Sequence, residues 1–437
     1  MRRAVGQSGS RGRGLFAALL ILIAAFVAPT GASASAPAAS PDFFGVNGAM
    51  LRNLVSPDKA SSLDGLAASM SQQGISWARL TFDQANDERQ RGSFNWYATD
   101  TMVAALARHG VRGEASFVGT APWAADPSTY GKCPWGMAYP ADLGGWSDWV
   151  AAAARRYGPN GSFWAAHPEL PQLPIRTWEV GNEVNSEQFW CPAANPEQYA
   201  AVYSASQSAI NAVDPGAKVI VAGLAPRFAQ RTDVDLDVPS FLTRMVAADP
   251  SLRGRIPEVA IHPYASNVQG VLGIVAQFRQ AMIAAGMPRT PMLVNEFGWH
   301  TSGGQMPTWA ASEGQRAGLI AGVTNRLWRS NCGVSGMAPY SWITMEQNPS
   351  DSEQWYGLAD PTTGAPHPSG LAYGQQIRIA LGRGGQAPPR SVVNACGTSR
   401  CAKAARAKKA GSRRARAKKA SAKCRVRKTR GVRRKQR

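Results

Sequence analysis

The chain has 437 residues, 44% of them hydrophobic, which is enough for a sizeable core in one large domain or two ordinary ones. Its formal net charge of +20 is unevenly distributed, because nineteen Lys and Arg lie within residues 400–437 and four Arg within the first 14. Subtracting these from +20 leaves −3 for the residues between. Composition therefore excludes a basic nucleic-acid-binding surface on the main domain, and nucleic acid is an unlikely physiological partner.

The first residues have the pattern of a secretory signal peptide. Four Arg precede a run of 14 apolar residues, 15–28, and small residues follow at 32–36. We place the cleavage site after Ala34, which makes residues 1–34 the signal peptide and the mature protein secreted, either extracellular or associated with the cell wall. The alternative is an uncleaved membrane anchor, but a run of 14 apolar residues is short for a helix that spans a membrane. No other segment approaches 18 apolar residues, so we expect no stable membrane span in the mature protein.

Strand-like and helix-like runs alternate through the rest of the chain. This alternation predicts a parallel sheet, and eight units over about 340 residues predict a (β/α)8 TIM barrel over residues 35–381. The alternative is an open doubly wound sheet, whose Gly-rich first turn the segment "FFGVNGAM" does not supply. The strands are predicted at 43–47, 76–83, 111–118, 175–183, 217–225, 258–265, 291–299 and 336–345; the helices are predicted near 60–73, 96–109, 146–158, 196–213, 240–248, 270–285, 312–330 and 368–381.

The carboxyl ends of these strands are unusually polar and aromatic, and in such barrels those ends carry the chemistry. Glu183 ends the fourth strand and Glu296 the seventh. Two carboxyl groups facing each other across a barrel mouth suit glycosidic-bond cleavage, at a separation of about 5–5.5 Å for retention of configuration and about 6.5–9.5 Å for inversion. Glu179 would lie about 13 Å from Glu183 along an extended strand. We therefore interpret Glu179 as scaffold, with Arg79 as a possible buried partner.

Several motifs together resemble the clan of retaining (β/α)8 glycoside hydrolases that includes families 5 and 39. "WEVGNEVN" resembles the clan's acid/base segment, and "VNEFGW" resembles its nucleophile strand. The resemblance covers residues 43–380. It differs from the clan pattern at Gly181, where many members have a bulky residue, and in "ASFVGTAPW", which lacks the strand-three histidine common in family 5. The sugar, the linkage and endo or exo cleavage stay open.

The resemblance implies a role for each matching residue. Glu183 would be the general acid/base and Glu296 the nucleophile that forms a covalent glycosyl-enzyme. Asn182 would bind the sugar 2-hydroxyl, and Trp342 would be a platform under the reacting sugar. The resemblance also implies that Arg79 and Tyr264 orient Glu296, with His262 beside them.

Some of these residues also have a structural interpretation. His262 could be a core histidine, and Arg79 alone is more often part of a structural ion pair. Trp123 and Trp299 lie in predicted rim loops, where they could stack on sugar faces or only pack the loops. We interpret Asp83 as a local loop cap. No Cys/His spacing matches a zinc site, and the chain has no HExxH and no phosphate loop, so we predict no metal and no cofactor.

The six Cys of an exported protein can form disulfides, and we expect Cys133 to pair with Cys191 and Cys396 with Cys401. Residues 382–398 have the composition of a Gly/Pro linker, and 399–437 predict a disordered Lys/Arg-rich tail. Such a tail would bind an acidic cell-envelope polymer electrostatically, or be solvated without a specific partner. A catalytically inactive carbohydrate-binding barrel and a polyanion-binding protein that uses the tail remain alternatives to an enzyme acting on an oligo- or polysaccharide. The oligomeric state stays open.

Overall fold

A computed structural model describes residues 39–56, 60–132, 137–228, 234–302, 307–383, 389 and 391–397. The predicted signal peptide, the basic tail, Cys133 and Cys401 lie outside the described residues. Among those described, no helix is both long and apolar enough to cross a membrane.

Eight parallel strands form one sheet, and their order in the sheet is their order in the chain. Eight helices alternate with them, and each follows one strand, which confirms the predicted (β/α)8 barrel. A parallel bridge between Phe44 and Met337 joins the last strand to the chain just before the first. The strands are β1 Gly45–Asn47, β2 Trp77–Asp83, β3 Arg112–Val118, β4 Thr177–Val180, β5 Lys218–Leu224, β6 Val259–Ile261, β7 Met292–Val294 and β8 Val334–Met337; the helices are α1 Ala60–Gln72, α2 Tyr97–Arg108, α3 Leu143–Tyr157, α4 Pro196–Val213, α5 Val238–Ala248, α6 Val268–Ala284, α7 Glu313–Leu327 and α8 Pro368–Ala380.

Shorter elements fill the connections at both ends of the barrel. Met137–Ala138 and Trp190–Cys191 pair as a two-stranded parallel ladder. The remaining elements are the short helices Gln84–Asp87, Ser162–Ala166 and Leu252–Arg255, and the 3₁₀ turns Pro41–Phe43, Ala49–Leu54, Pro307–Trp309 and Ser352–Trp355.

Side-chain caps start five consecutive barrel helices, α3 to α7. Each cap accepts a hydrogen bond from the backbone N–H three residues further on, which satisfies one of the free donors of the first turn. At Ser312 the bond is reciprocated by Gln315, which completes a capping box. The capping residues are Asp142, Asn195, Asp237, Asn267 and Ser312.

The strands separate an outer apolar core, packed against the helices, from a small apolar layer inside the barrel. The inner layer consists of Trp77, Ile220, Ala260, Leu293 and Ala338. Alternate residues of a strand share a face, so Arg79 lies two positions further along β2 than Trp77 on the same inner face. The apolar layer therefore supports a polar layer above it, toward the carboxyl ends of the strands.

Below the apolar layer, at the amino ends of the strands, lies a cavity of about 370 Å³ lined by three carboxylates, Asp42, Glu114 and Glu258. Burial and repulsion from Glu258 raise the pKa of Glu114 to about 8. Ser335 donates a hydrogen bond to Glu258, and the nearby cations Arg112 and Lys218 only partly offset the burial of Glu114.

Glu114→Gln is expected to stabilise the protein at alkaline pH. A carboxyl whose pKa is raised on folding contributes stability that is complete below about pH 4.5 and is lost as pH rises to about 8. The amide of the glutamine variant stays neutral and so keeps its stability at alkaline pH. The variant's Tm should therefore match that of wild type near pH 5 and exceed it by about 2–3 °C at pH 8.5. Calorimetry at both pH values measures this, with exposed Glu169→Gln as control. If the Tm of the variant differs from that of wild type by the same amount at both pH values, the prediction is contradicted.

A disulfide joins Cys332 to Cys396, with an S–S distance of 2.01 Å. The expected Cys396–Cys401 bridge is therefore wrong, because the backbone of 391–397 lies beside the loop before β8. Val393 forms a parallel bridge with Ser330, and Asn331 binds Asn394. Part of the predicted linker is thus held against the barrel. Cys191 is also disulfide-bonded, while its expected partner, Cys133, lies outside the described residues.

Candidate active site

Glu296 lies just after β7, buried at the barrel mouth, and both of its carboxylate oxygens are hydrogen-bonded. Oε1 accepts from Arg79 Nη1 at 2.9 Å and from Asn47 Nδ2 at 3.2 Å. Oε2 accepts from the Tyr264 hydroxyl at 3.2 Å. The Asn47 amide is itself oriented, because its Oδ1 accepts from the Ala49 backbone at 2.9 Å. Residues from three other strand ends therefore fix this carboxylate in position.

Glu183 is positioned by a turn rather than by an extended strand. β4 ends at Val180, and the chain then turns through positive φ at Gly181 (90°) and at Glu183 itself (41°). A non-Gly residue at φ 41° is uncommon and is held by its surroundings. Here the Glu183 N–H donates to the Gly223 carbonyl at 2.8 Å. The prediction that residues 181–183 continue the strand is wrong, because the backbone needs this turn to bring Glu183 over the barrel mouth.

His262 lies between the two carboxylates. Its Nδ1 is 2.8 Å from Glu183 Oε1 and 3.5 Å from Glu296 Oε2. The ring is fully buried and packs over Gly223, where any Cβ would overlap it. One atom from each of the three side chains lies within 4.8 Å of the others. An approach of the carboxyl oxygens to within 4.8 Å is closer to the separation of a retaining pair than to that of an inverting pair.

Arg79 links the candidate pair to the barrel interior. Its guanidinium donates to Glu179 Oε2 at 2.5 Å, to Ser116 Oγ at 3.0 Å and to Asn182 Oδ1 at 2.9 Å, besides Glu296. The remaining oxygen of Glu179 accepts from the Gly223 N–H at 2.7 Å. Glu179 is therefore a buried anchor for Arg79, and the predicted partnership of these two residues is confirmed.

The charges of this cluster set the pKa values of its members. Burial raises the pKa of Glu296, and the opposing effects of His262 and Arg79 do not cancel it. Burial alone would lower the pKa of His262, but Glu296 and Glu183 outweigh it and the pKa is raised. For Glu179, burial is outweighed by Arg79, so its pKa is lowered and it stays ionised. His262 and Glu296 therefore influence each other's protonation, because each is a main cause of the other's pKa shift.

The tryptophans predicted to contact sugar are mostly unavailable. Trp342 and Trp299 have exposed fractions of 0% and 1%, so neither offers a face to a ligand, and both predictions are wrong for this reason. Trp123 is half-buried; its Nε1 donates to the Glu88 carbonyl at 2.8 Å, and Arg91 covers the ring. Its contacts lie within the rim loops, which is the packing interpretation considered above. Asp83 caps a short helix through the Ala85 N–H, as predicted.

Other aromatic residues, which the sequence reasoning missed, surround Glu296 instead. Trp309 packs at 5.2 Å on the Tyr264 ring and is half-buried, as Trp123 is. Tyr356 contacts Tyr264 and Tyr340, with ring centroids 6.3 and 5.3 Å away. The sequence reasoning also missed Asn47, although its position as the polar residue at the end of the first apolar run could have indicated it. Trp309 had no such signal, because it lies in an irregular loop.

Glu183, His262 and Glu296 also form a three-residue set that could hold a divalent cation, through two carboxylate oxygens and one imidazole nitrogen. A metal there would occupy the same oxygens that the carboxylate pair presents to the cleft.

No protein-family model matches the chain, and no curated protein is significantly similar to it in sequence. Solved structures do match. A GH5_18 protein from Streptomyces cattleya, in complex with GlcNAc, is 16% identical with a TM-score of 0.56, over 80% of this chain and 82% of that one. A glucosidase from Croceicoccus marinus is 15% identical with a TM-score of 0.55, over 78% and 68%.

A family 39 glycoside hydrolase from Bacteroides cellulosilyticus is 16% identical with a TM-score of 0.54. That match covers 78% of this chain and 65% of the other. The chain thus spans about two thirds of the family 39 protein and of the glucosidase. At these identities the comparisons show a shared fold, and the fold is that of (β/α)8 glycoside hydrolases, as the sequence motifs predicted.

Proposed function

We propose that the protein is a retaining O-glycoside hydrolase that acts on an oligo- or polysaccharide. One observation carries the proposal: carboxyl oxygens of Glu183 and Glu296 lie within 4.8 Å of each other at the barrel mouth. Such a close approach is typical of retaining enzymes, whose second carboxylate attacks the anomeric carbon directly. The barrel fold shared with glycoside hydrolases agrees with it.

The two glutamates divide the chemistry in two displacements. In the first, a Glu296 oxygen attacks the anomeric carbon while the Glu183 proton passes to the leaving oxygen, so the glycosidic bond breaks and a glycosyl ester forms. In the second, Glu183, now ionised, takes a proton from water, whose oxygen attacks the same carbon and releases Glu296. His262 contacts both glutamates and is suited to stabilise whichever of them is ionised.

The neighbouring residues fit supporting roles. Arg79, Asn47 and Tyr264 hold Glu296 in one orientation through three hydrogen bonds. Asn182 uses its Oδ1 to accept from Arg79, so its amide nitrogen is left to donate to a sugar 2-hydroxyl. The half-buried Trp309, which packs on Tyr264, is better suited to stack on a sugar ring than the fully buried Trp342 or Trp299.

Product analysis tests the proposal. The protein is incubated with a panel of oligo- and polysaccharides, and products are followed by proton NMR before mutarotation. We expect at least one glycan to be cleaved with the first-formed anomer retaining the substrate configuration. An inverted first product would refute the double displacement, and no cleavage of any glycan would refute the hydrolase.

We also propose that the protein is exported by residues 1–34 and that residues 399–437 bind an anionic polymer of the cell envelope. The support is the composition of those segments. Truncation after Gly397 keeps the Cys332–Cys396 disulfide, and it should abolish retention on a cation-exchange resin while leaving hydrolysis of a soluble glycan unchanged. Equal retention of the full and truncated proteins would contradict the tail proposal.

A further inference from the structure

A third carboxylate, Glu353, faces the candidate active site from the loop after β8. It lies in the 3₁₀ turn Ser352–Trp355, which Asp351 caps by accepting from the Glu353 N–H at 3.1 Å. Its Oε2 lies 3.4 Å from the Tyr340 hydroxyl, a weak contact. The residue is exposed to solvent, and among the described residues no cation lies within ion-pair distance of it.

Glu353 is close enough to the carboxylate pair to interact with it. Desolvation, followed by repulsion from Glu296, Asp351 and Glu183, raises the pKa of Glu353 to about 7, although the residue is exposed to solvent. Tyr340 connects the two groups, because it contacts Glu353 and packs on Tyr356, which in turn packs on Tyr264. A chain of contacts through Tyr340, Tyr356 and Tyr264 therefore connects Glu353 to Glu296.

The positive charges of the site are already engaged below the opening of the barrel mouth. Arg79 is bound to Glu179 and Glu296, and His262 lies between Glu183 and Glu296. Neither reaches Glu353. The opening thus carries an excess of negative charge within low-dielectric walls, where the field of each charge is less screened than in water.

We propose that Glu353 is a specificity-determining residue that makes the sugar position beside the carboxylate pair accept uncharged or cationic sugars and reject anionic ones such as uronic acids. The carboxylate can accept hydrogen bonds from sugar hydroxyls or from an ammonium group. A sugar carboxylate in the same place would meet like charge without a compensating cation. The inference rests on the proposed glycosidase function, whose sugar it narrows.

Small polyols of nearly equal size and different charge test the inference without turnover. The probes are protonated Tris, neutral pentaerythritol and anionic 2,2-bis(hydroxymethyl)propionate. Their dissociation constants for the full chain are measured by saturation-transfer NMR at pH 7 and constant ionic strength. We expect the wild-type protein to bind Tris most tightly and the anion most weakly.

Glu353→Gln should weaken Tris binding about two- to threefold and strengthen anion binding by a similar factor, because a carboxylate that is about half ionised at pH 7 is removed near the ligand. Glu353→Asp keeps the charge and should preserve the wild-type order, as should the exposed control Glu169→Gln. If Glu353→Gln leaves the ratio of Tris to anion affinity unchanged while its Tm is normal, the inference is overturned. A changed ratio in a protein that cleaves no glycan would instead support the inference and refute the hydrolase.

Discussion

Glu296→Ala is expected to lower kcat/KM for an aryl glycoside by at least about 10⁴-fold, equivalent to about 5 kcal/mol of transition-state stabilisation. The alanine removes the atom that would bond the anomeric carbon, so no covalent intermediate can form. Folding should survive, because Arg79 keeps its bonds to Glu179, Ser116 and Asn182. Steady-state kinetics on the responsive glycoside, together with Tm, measure both effects.

An added nucleophile separates a catalytic role of Glu296 from a structural one. Azide can enter the space that the missing carboxylate leaves, and it attacks the anomeric carbon from that side. The product should be a glycosyl azide of inverted configuration, formed in Glu296→Ala and absent in Glu296→Gln, whose amide fills the space. Residual activity within about tenfold of wild type in Glu296→Ala would rule out the assigned role.

Glu183→Gln should have an effect that depends on the leaving group. The amide has the same size but no proton to give, so a glycoside with a poorly acidic leaving group should lose about 10³-fold or more in kcat/KM. A dinitrophenyl glycoside, whose leaving group needs no proton, should lose far less in kcat/KM. It should also show a burst of dinitrophenol, because hydrolysis of the glycosyl-enzyme intermediate becomes the slow step.

Rapid-quench kinetics on the two substrates measure this difference, with the exposed neighbour Glu187→Gln as the matched control. Azide should accelerate the second step in Glu183→Ala and give a glycosyl azide of retained configuration. An equal loss on both leaving groups would contradict proton donation by Glu183 and would leave the residue a structural role only.

The sequence was sufficient to predict the eight strand and helix units, because buried parallel strands are nearly continuous apolar runs bounded by turn residues. It also indicated Glu183, Glu296, Arg79 and His262, since polar residues at strand ends are exceptions to an otherwise apolar pattern. The separation of scaffold from site at Glu179 and Glu183 came out as predicted, although the extended strand assumed between them is replaced by a turn.

Other features depend on information that local pattern does not contain. Trp342 and Trp299 follow polar strand ends just as the site residues do, and only the packing of the loops buries them. Trp309 and Glu353 lie in loops whose conformation is fixed by tertiary contacts. The turn at Gly181 could be read as a strand position, because glycine is compatible with both conformations. The pairing of Cys332 with Cys396 spans 64 residues and has no local signature.

The Cys332–Cys396 disulfide places the C-terminal segment at the end of the barrel opposite the candidate active site. It fixes residues 391–397 beside the loop that enters β8, at the amino ends of the strands, whereas Glu183 and Glu296 lie at the carboxyl ends. Gly397, which precedes the basic segment, therefore lies at the amino-terminal end of the barrel strands. If the basic segment holds an anionic polymer there, the opening faces away from the polymer that anchors it. Such an enzyme would stay bound to an anionic polymer through its tail while its active site hydrolyses a different, uncharged polysaccharide.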